Sequence, residues 1–189
     1  SIIKEGAYIS HAKGFGFVRV ENEDEDYYIP EEYVGNAFHG DQVRIELLPI
    51  SKGKRREAKI IEVLSHDISI VTNSLPLAQK LAARGLQVSI LPGTVKGSTE
   101  SVIGGDMRDM LRRYHFTKGF FGTNGVDLRF GYTTPDQEEA ACKTAALKQC
   151  TKAYVLADTS KFGRSSHVTF ATLAEVAIIT AGKKDLDIS

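Results

Sequence analysis

The spacing of strand-forming segments divides this 189-residue chain into two parts that follow different patterns. Between Glu5 and Val63 the sequence consists of short runs rich in β-branched and aromatic residues, separated by Gly, Pro, Asn and charged residues. These runs are "GAYIS", "GFGFVRV", "DYYIP", "DQVRIELL" and "EAKIIEVL". Five short strands in about sixty residues suit a small closed barrel, so we predict an all-β domain over residues 1–65.

From Asp67 onward, strands and helices alternate. The predicted strands include "DISIVTN", which reads as buried, "LQVSILPG", "AYVLAD" and "AIITAG". The predicted helices are "SLPLAQKLAARG", "GDMRDMLRRYH", "TPDQEEAACKTAALKQC" and "FATLAEV". Gly85 is expected to stop the first helix, while Thr134 caps the third and Pro135 is its first residue. This alternation predicts an α/β domain with a mostly parallel sheet over residues 66–189.

The overall charge excludes a strongly basic nucleic-acid-binding protein, because 24 Lys and Arg balance 24 Asp and Glu. Residues 1–65 contain nine basic and twelve acidic side chains, so any nucleic-acid site there must be local. The sequence has no long apolar run, which predicts no membrane association, and its first residues lack the features of a secretory signal.

The two cysteines, Cys142 and Cys150, are eight residues apart in a predicted helix. That spacing separates them by about 12 Å along a helix axis, too far for a disulfide. We expect reduced thiols in a cytoplasmic protein that binds no metal or other cofactor.

Aromatic residues alternate with glycines in "KGFGFV", which places Phe15 and Phe17 on one face of a strand. Tyr28 is expected on a neighbouring strand, with Tyr27 and Ile29 facing the core. Three rings on one exposed face form a stacking surface for unpaired bases. The alternative is a barrel whose phase is shifted by one residue, in which both phenylalanines belong to the core.

Basic residues near this surface are candidates for phosphate contacts. They are Lys13, Arg19, Lys52, Lys54, Arg55, Arg56 and Lys59. Five acidic residues occupy the loop between the two aromatic strands, namely Glu21, Glu23, Asp24, Glu25 and Asp26. They would repel phosphate if they faced the rings, so we expect them to form a solvated hairpin tip.

The segments "KGFGFV" and "DYYIP" resemble the paired strand motifs of cold-shock domains. Together with "NAFHGDQVRIELLP" and "KRREAKIIEVL", residues 3–64 resemble the cold-shock-type OB domain of the RNase R and RNase II exoribonuclease family. The resemblance implies an OB barrel that binds single-stranded RNA or DNA through Phe15, Phe17 and Tyr28.

Two features of the N-terminal part depart from that resemblance. Pro30 stands where cold-shock proteins usually carry a histidine. His39 either supplies part of that contact or anchors its loop. The chain also has no segment like the aspartate-rich catalytic domain of these nucleases, so the resemblance implies nucleic-acid binding without cleavage, and we expect no enzyme activity.

Small polar residues follow several predicted strands in the second part, where parallel strands commonly bind anions or sugars. These segments are "VTNS", "GTVKGSTESVIGGD", "FGTNGVD" and "LADTSKFG". We expect them at one edge of a sheet. Lys161 is a reasonable phosphate ligand there, whereas Glu139 is most simply an acid that compensates a helix dipole.

The segments "IVTNSLPLAQKLA", "VIGGDM", "FFGTNGVD", "GYTTPDQEEAACK" and "LADTSKFG" resemble, in order, the C-terminal effector domain of DeoR-family transcription regulators. The resemblance covers residues 67–183 and implies a fold like that of ribose-5-phosphate isomerase, with a phosphorylated sugar as ligand. It implies ligand contacts by Thr72, Asn73, Ser74, Asn124, Glu139 and Lys161. Glu139 matches an acid that transfers protons in the isomerases, and Lys161 would contact the phosphate.

The family's usual "GTT" phosphate loop, its DNA-reading domain and its closing elements have no counterpart in this sequence. We therefore expect a fusion of a nucleic-acid-binding module with an incomplete sugar-phosphate sensor. A ligand-responsive regulator and a structural chimera without its own activity are the alternatives, and isomerase chemistry is disfavoured. Effector domains of this kind tend to self-associate, so we expect a homo-oligomer.

Overall fold

The computed structural model describes residues 1–49 and 55–181, and the chain forms two compact units. The N-terminal unit contains Ser1–Thr72 and Pro76–Ile90. The C-terminal unit contains Asn73–Leu75 and the chain from Leu91 onward. The predicted domain boundary near residue 65 stays a prediction.

The N-terminal unit contains a curled, five-stranded antiparallel sheet, which confirms the predicted strands. They are β1 (Ile3–Ser10), β2 (Gly16–Arg19), β3 (Tyr27–Ile29), β4 (Gln42–Leu47) and β5 (Ala58–Ser65). Their order across the sheet is β3-β2-β1-β4-β5. A parallel bridge between Tyr28 and Glu57 joins the two outer strands, and the Tyr28 N–H donates to the Arg56 carbonyl at 2.8 Å.

Strand alternation decides which side chains form the core of this sheet. Val18, Tyr27 and Ile29 are buried, whereas Phe17 and Tyr28, one residue away in each strand, are partly exposed. The predicted phase is therefore correct, and the alternative with Phe15 and Phe17 in the core is wrong. The core is completed by Tyr8, Val43, Ile45 and Ala58.

A buried carboxylate fixes the entry to β4. Asp41 is fully buried, and its Oδ2 accepts the Phe38 N–H at 2.7 Å and lies 2.8 Å from His66 Nδ1. Its Oδ1 accepts the Asp67 N–H at 3.2 Å. The side chain thus ties the loop before β4 to the segment after β5, with a short 3-10 helix (Glu31–Tyr33) earlier in the same connection.

The N-terminal unit also holds a parallel pair, β6 (Ser69–Thr72) and β7 (Gln87–Ile90). Helix α1 (Leu75–Ala82) lies between them in sequence. The chain leaves α1 at Gly85, whose φ of 81° suits glycine and confirms the predicted stop. The prediction of a buried β6 is wrong, because its four residues are only partly buried or exposed.

The C-terminal unit combines parallel and antiparallel strands. Its strands are β8 (Thr94–Lys96), β9 (Ser101–Ile103), β10 (Phe116–Gly122), β11 (Gly125–Asp127), β12 (Gly131–Thr134), β13 (Cys150–Asp158), β14 (Val168–Ala171) and β15 (Ala177–Ala181). Its helices are α2 (Gly105–Leu111), α3 (Gln137–Leu147) and the 3-10 helix Thr159–Lys161. The sheet β10-β13-β15 is parallel, and β11-β12-β14 and β8-β9 are antiparallel.

The predicted parallel region is thus confirmed, but antiparallel strands accompany it and the unit is richer in β-structure than expected. Its core contains Val155, Tyr132 and Phe170 from three different strands. The Tyr132 hydroxyl donates to the Val176 carbonyl at 2.8 Å, which satisfies the polar end of a buried ring.

Two local predictions about helices are wrong. Thr134 does not cap α3, because it is fully buried in β12, and Asp136 accepts the Glu139 N–H instead. The segment "FATLAEV" is not helical, because Val168–Ala171 pairs with β12 and thereby buries Phe170. In both places the pairing of distant strands overrides the local helical pattern.

The cysteines do not share a helix as predicted, because Cys150 begins β13. Cys142 lies in α3, is buried, and both thiols are free. Burial raises the pKa of each thiol.

Candidate functional site

Four rings form an aromatic cluster on the outer face of the N-terminal sheet: Phe15, Phe17, Tyr28 and His11. The Phe15 centroid lies 5.8 Å from that of Phe17 and 5.5 Å from that of Tyr28. Phe17 and Tyr28 are direct partners across β2 and β3, with centroids 5.8 Å apart. The structure therefore brings together the three rings that the sequence predicts.

His11 was missed by the sequence analysis. Its ring stacks on Phe15 at 4.2 Å and 11° between planes. The turn between β1 and β2 places it there, since the His11 N–H donates to the Phe15 carbonyl and Gly14 adopts a φ of 94°. The motif "SHAKGFG", with a histidine where one strand ends and a glycine just before the next, is the signal that could have found it.

The predicted phosphate-contacting residues differ in whether their charge is paired with an acidic side chain of the protein. Lys13 and Arg55 are exposed and make no ion pair within the described part of the chain. Arg19 forms a two-point ion pair with Asp26, at 3.1 and 3.0 Å. His39 accepts the Ser10 N–H at 3.2 Å, which fits its loop-anchoring alternative.

Four further basic residues are predicted to contact phosphate. Arg56 pairs with Glu23 and Glu25, and Lys59 pairs with Glu46. Lys52 and Lys54 lie outside the described residues.

The acidic loop is predicted to be a solvated hairpin tip, but the structure holds some of its carboxylates in ion pairs. The Glu23 carboxylate pairs with Lys4 and accepts the Tyr27 hydroxyl at 2.6 Å. These two hydrogen bonds, the one from Lys4 above all, lower the pKa of Glu23. Because Asp26 is paired with Arg19 as well, basic neighbours offset much of the repulsion that the loop would exert on a polyanion.

In the C-terminal unit, two predicted site residues follow neighbouring parallel strands. Asn124 comes just after β10, and Lys161 closes the 3-10 helix after β13. Gly122 pairs with Leu156, so the two strands end side by side. The segments also meet further on, because the Gly163 N–H donates to the Val126 carbonyl at 2.9 Å.

Glu139 reaches the same edge through a lysine that was not predicted. Lys143 Nζ lies 2.6 Å from Glu139 Oε1 and donates to the Gly122 carbonyl, where β10 ends, at 2.7 Å. Asn124 is exposed, and its Oδ1 accepts the Thr134 hydroxyl at 3.3 Å. The i, i+4 spacing of Glu139 and Lys143 on α3 is the sequence signal for this pair.

The other predicted ligand residues belong to different elements. The Asn73 amide donates to the Val102 carbonyl at 3.2 Å, and Ser74 bridges to Ser101, so both lie beside β9. Thr72 ends β6 in the N-terminal unit.

The prediction that all four polar segments share one sheet edge is wrong. The segment "GTVKGSTESVIGGD" forms the β8-β9 hairpin, and β6 belongs to a separate two-stranded sheet. "FGTNGVD" and "LADTSKFG" do follow adjacent strands of one sheet.

Neither a metal centre nor a membrane-spanning helix is found among the described residues. Among residues 1–49 and 55–181, no group of three or more His, Cys, Asp and Glu side chains could hold a metal ion. None of the helices in these ranges is long and apolar enough to cross a membrane.

Two family models match the chain, and together they cover residues 6–182. The model of the DeoR C-terminal sensor domain matches residues 57–182, and that of the ribonuclease B OB domain matches residues 6–63. The first match covers most of the sequence, and the chain belongs to the DeoR C-terminal sensor domain family. The similarity predicted for both parts is thereby confirmed.

Curated relatives point to the same family. The chain is 42% identical over 120 residues to the uncharacterized HTH-type transcriptional regulator FruR of Bacillus subtilis, covering 64% of this chain and 48% of that protein. It is 37% identical over 118 residues to the HTH-type transcriptional regulator GlpR of Haloferax volcanii, covering 62% and 46%. It is 28% identical over 167 residues to the lactose phosphotransferase system repressor of Streptococcus mutans, covering 87% and 64%. The chain thus spans about half the length of the first two relatives.

Proposed function

We propose that the N-terminal sheet is an OB barrel that binds single-stranded RNA or DNA through the aromatic cluster. The observation that carries this proposal is the packing of Phe15, Phe17 and Tyr28 on one partly exposed face. Every base has a π-face, so a surface of this kind stacks unpaired bases with little regard to sequence, at about 1–3 kcal/mol per base.

The charges around the cluster predict a modest dependence on salt. Lys13 and Arg55 are the described candidates that make no ion pair, and Lys52 and Lys54 add two more from the sequence. With about two to four phosphate contacts on a single strand, log K should fall with log salt at a slope of about −1.4 to −2.8.

The test is fluorescence anisotropy of a labelled, unstructured RNA titrated with the whole chain at several salt concentrations. The Phe15→Ala, Phe17→Ala double variant should bind at least about tenfold more weakly, since two stacking rings are removed. Phe130→Ala is the matched control, because Phe130 is an exposed phenylalanine of the C-terminal unit. Unchanged affinity in the double variant would refute this use of the cluster.

We also propose that the C-terminal unit binds a phosphorylated sugar at the edge defined by Asn124, Glu139, Lys143 and Lys161. The observation in its favour is that Asn124 and Lys161 follow neighbouring parallel strands whose ends lie side by side. Ligands of open α/β sheets bind at this end of the strands, and a lysine supplies the charge that a phosphate needs. Thr72, Asn73 and Ser74 remain candidates from the resemblance alone.

A regulatory role accords with this site, because the curated relatives include a lactose phosphotransferase system repressor and HTH-type transcriptional regulators. We propose that the chain is a non-catalytic binding protein of the cytoplasm that joins the two modules, with the sugar-phosphate sensor acting as part of a transcription regulator. The RNase R likeness then concerns binding only. A structural chimera without activity is the alternative, and both binding experiments failing would favour it.

A thermal-shift series tests the sensor proposal. Millimolar sugar phosphates should raise the melting temperature, since a ligand that binds only the folded state stabilises it. Lys161→Ala should remove the shift, whereas Lys80→Ala, an exposed lysine on α1, should leave it intact. If Lys161→Ala melts with the same shift as the parent, Lys161 is not a phosphate ligand.

A further inference from the structure

The side-chain hydroxyl of Thr180, near the end of β15, is buried without a hydrogen-bond partner in the part of the chain that the structure describes. Other threonines of the C-terminal unit are satisfied. The Thr144 hydroxyl donates to the Phe170 carbonyl at 3.0 Å, and the Thr123 hydroxyl donates to the Gly125 carbonyl at 2.8 Å. Since a buried polar group without a partner costs stability, its presence in a folded protein needs an explanation, and binding is one.

Strand register places Thr180 at the edge of the sheet where the proposed sugar-phosphate site lies. Leu156 of β13 pairs with Gly122, the last residue of β10, and with Ile179 of β15. Thr180 therefore lies one residue beyond the row in which β10 ends. Lys161 follows the end of β13, the central strand of the three. Because all three strands are parallel, Thr180 belongs to the same carboxyl edge as Lys161.

The side chain of Thr180 lies on the face of the sheet that α3 covers. Ala157, its partner on β13, is buried in one core with Ala140 of α3. Ile178, two residues before Thr180 on β15, packs against that core, whereas Ile179 between them is 46% exposed. Side chains two residues apart on a strand share a face, so Thr180 faces the same side as Ile178.

The same edge carries the charged groups of the proposed site. Lys143 of α3 donates to the Gly122 carbonyl at 2.7 Å and lies 2.6 Å from Glu139. The Thr180 hydroxyl differs from these groups because it is neutral, and it can donate one hydrogen bond and accept two. Such a group matches a hydroxyl of a sugar better than it matches a phosphate. We propose that Thr180 binds a sugar hydroxyl of the ligand, while Lys161 contacts the phosphate.

This role rests on the proposed sugar-phosphate site and adds to it the residue that recognises the sugar. A ligand that lacks the matching hydroxyl leaves the buried Thr180 hydroxyl without a partner. A site built to bind a hydroxyl therefore discriminates against such ligands. We expect removal of the Thr180 hydroxyl to weaken the binding of the preferred sugar phosphate at least about tenfold, and to leave the binding of inorganic phosphate unchanged.

Thr180→Val tests the proposal, because it nearly keeps the shape of the side chain and removes the hydroxyl. Without ligand, the variant should melt about 2–4 °C above the parent, since a buried group without a partner is lost. The probes are a series of pentose and hexose phosphates that includes ribose 5-phosphate and glucose 6-phosphate, with inorganic phosphate as the probe without a sugar. The largest stabilisation that a sugar phosphate gives the parent should shrink in Thr180→Val to the value for inorganic phosphate. Thr180→Ser, which keeps the hydroxyl, should retain most of it.

Thr144→Val is the matched control, because its hydroxyl is already paired within the protein. This variant should melt below the parent and keep the full stabilisation by sugar phosphate. If Thr180→Val keeps that stabilisation, or melts below the parent without ligand, Thr180 does not bind the sugar, and the site at Lys161 is unaffected by the result. If no sugar phosphate stabilises the parent more than inorganic phosphate does, the sugar-phosphate site is wrong and the role of Thr180 is refuted with it.

Discussion

Replacing Asp41 by alanine should destabilise the N-terminal unit by about 3–5 kcal/mol. The change removes the acceptor of two backbone N–H groups, those of Phe38 and Asp67, and the partner of His66, at a position without exposed surface. A hydrogen bond to a charged acceptor contributes about 1.5–3 kcal/mol, and this change removes the partners of one fully buried carboxylate together. Whole domains are stable by only about 5–15 kcal/mol, so the effect should be large.

Asp41→Asn separates the contributions of the two oxygens. Its one amide oxygen can replace Oδ2, which holds the shorter bonds at 2.7 and 2.8 Å, while the 3.2 Å bond from the Asp67 N–H is lost. We expect a loss of about 1–2 kcal/mol from one weakened donor. The order of stability should therefore be parent, Asn, Ala.

Pulse proteolysis across a urea series, with fragments identified by mass spectrometry, measures the unfolding of this unit separately from the rest of the chain. With an m-value of about 1 kcal/mol/M, the midpoint should fall by about 1–2 M for Asn and by 3 M or more for Ala. Asp127→Ala is the control, because Asp127 also accepts two backbone N–H groups, from Arg129 and Phe130, but in exposed positions. If Asp41→Ala shifts the midpoint no more than this control, burial is not what makes the carboxylate important.

Three other predictions concern ionisation, backbone conformation and thiol reactivity. Because Lys4 lowers the pKa of Glu23, the ion pair should stabilise the fold fully above the ordinary glutamate pKa and be lost as the pH falls through the lowered value. A carboxyl-carbon NMR titration should show that the midpoint of Glu23 rises in Lys4→Met, and an unmoved midpoint contradicts this. Gly131→Ala should destabilise the C-terminal unit by about 1–3 kcal/mol, since φ is 72° and the new Cβ would lie 2.5 Å from a carbonyl oxygen of β14. Denaturant unfolding midpoints measure this loss of stability, and an unchanged midpoint would show that the backbone adjusts without cost. Cys142 should react slowly with a thiol reagent at neutral pH and quickly in urea, because burial both shields it and raises its pKa; equal rates under both conditions would contradict the buried position.

Much of the N-terminal sheet could be predicted from sequence because its strands alternate cleanly. The period of two places Phe17 and Tyr28 outward and Val18 inward without knowledge of their neighbours. His11 could not be predicted in this way, since its stacking depends on the positive φ of Gly14 in the turn between β1 and β2. The ion pair of Lys4 with Glu23 joins residues nineteen positions apart, and no local pattern indicates it.

The C-terminal unit was harder to predict because its short antiparallel strands resemble loops and helices locally. Thr134 followed by Pro135 is a good helix start by composition, yet pairing of β12 with β14 draws Thr134 into the core. The end of β10 and the end of β13 were correctly placed together, since parallel strands around a helix meet at one edge. Lys143 was missed because its contact with the Gly122 carbonyl depends on how α3 packs.

Tyr28 links the aromatic cluster to the closure of the sheet. Its ring lies against Phe15 and Phe17, while its N–H is held by the Arg56 carbonyl across the two outer strands. Exchange of this amide hydrogen with solvent requires that edge to open, and opening also moves the ring. A base stacked on Tyr28 should therefore slow the exchange of the Tyr28 amide hydrogen. The exchange rate of this one backbone hydrogen would report whether a base occupies the aromatic cluster.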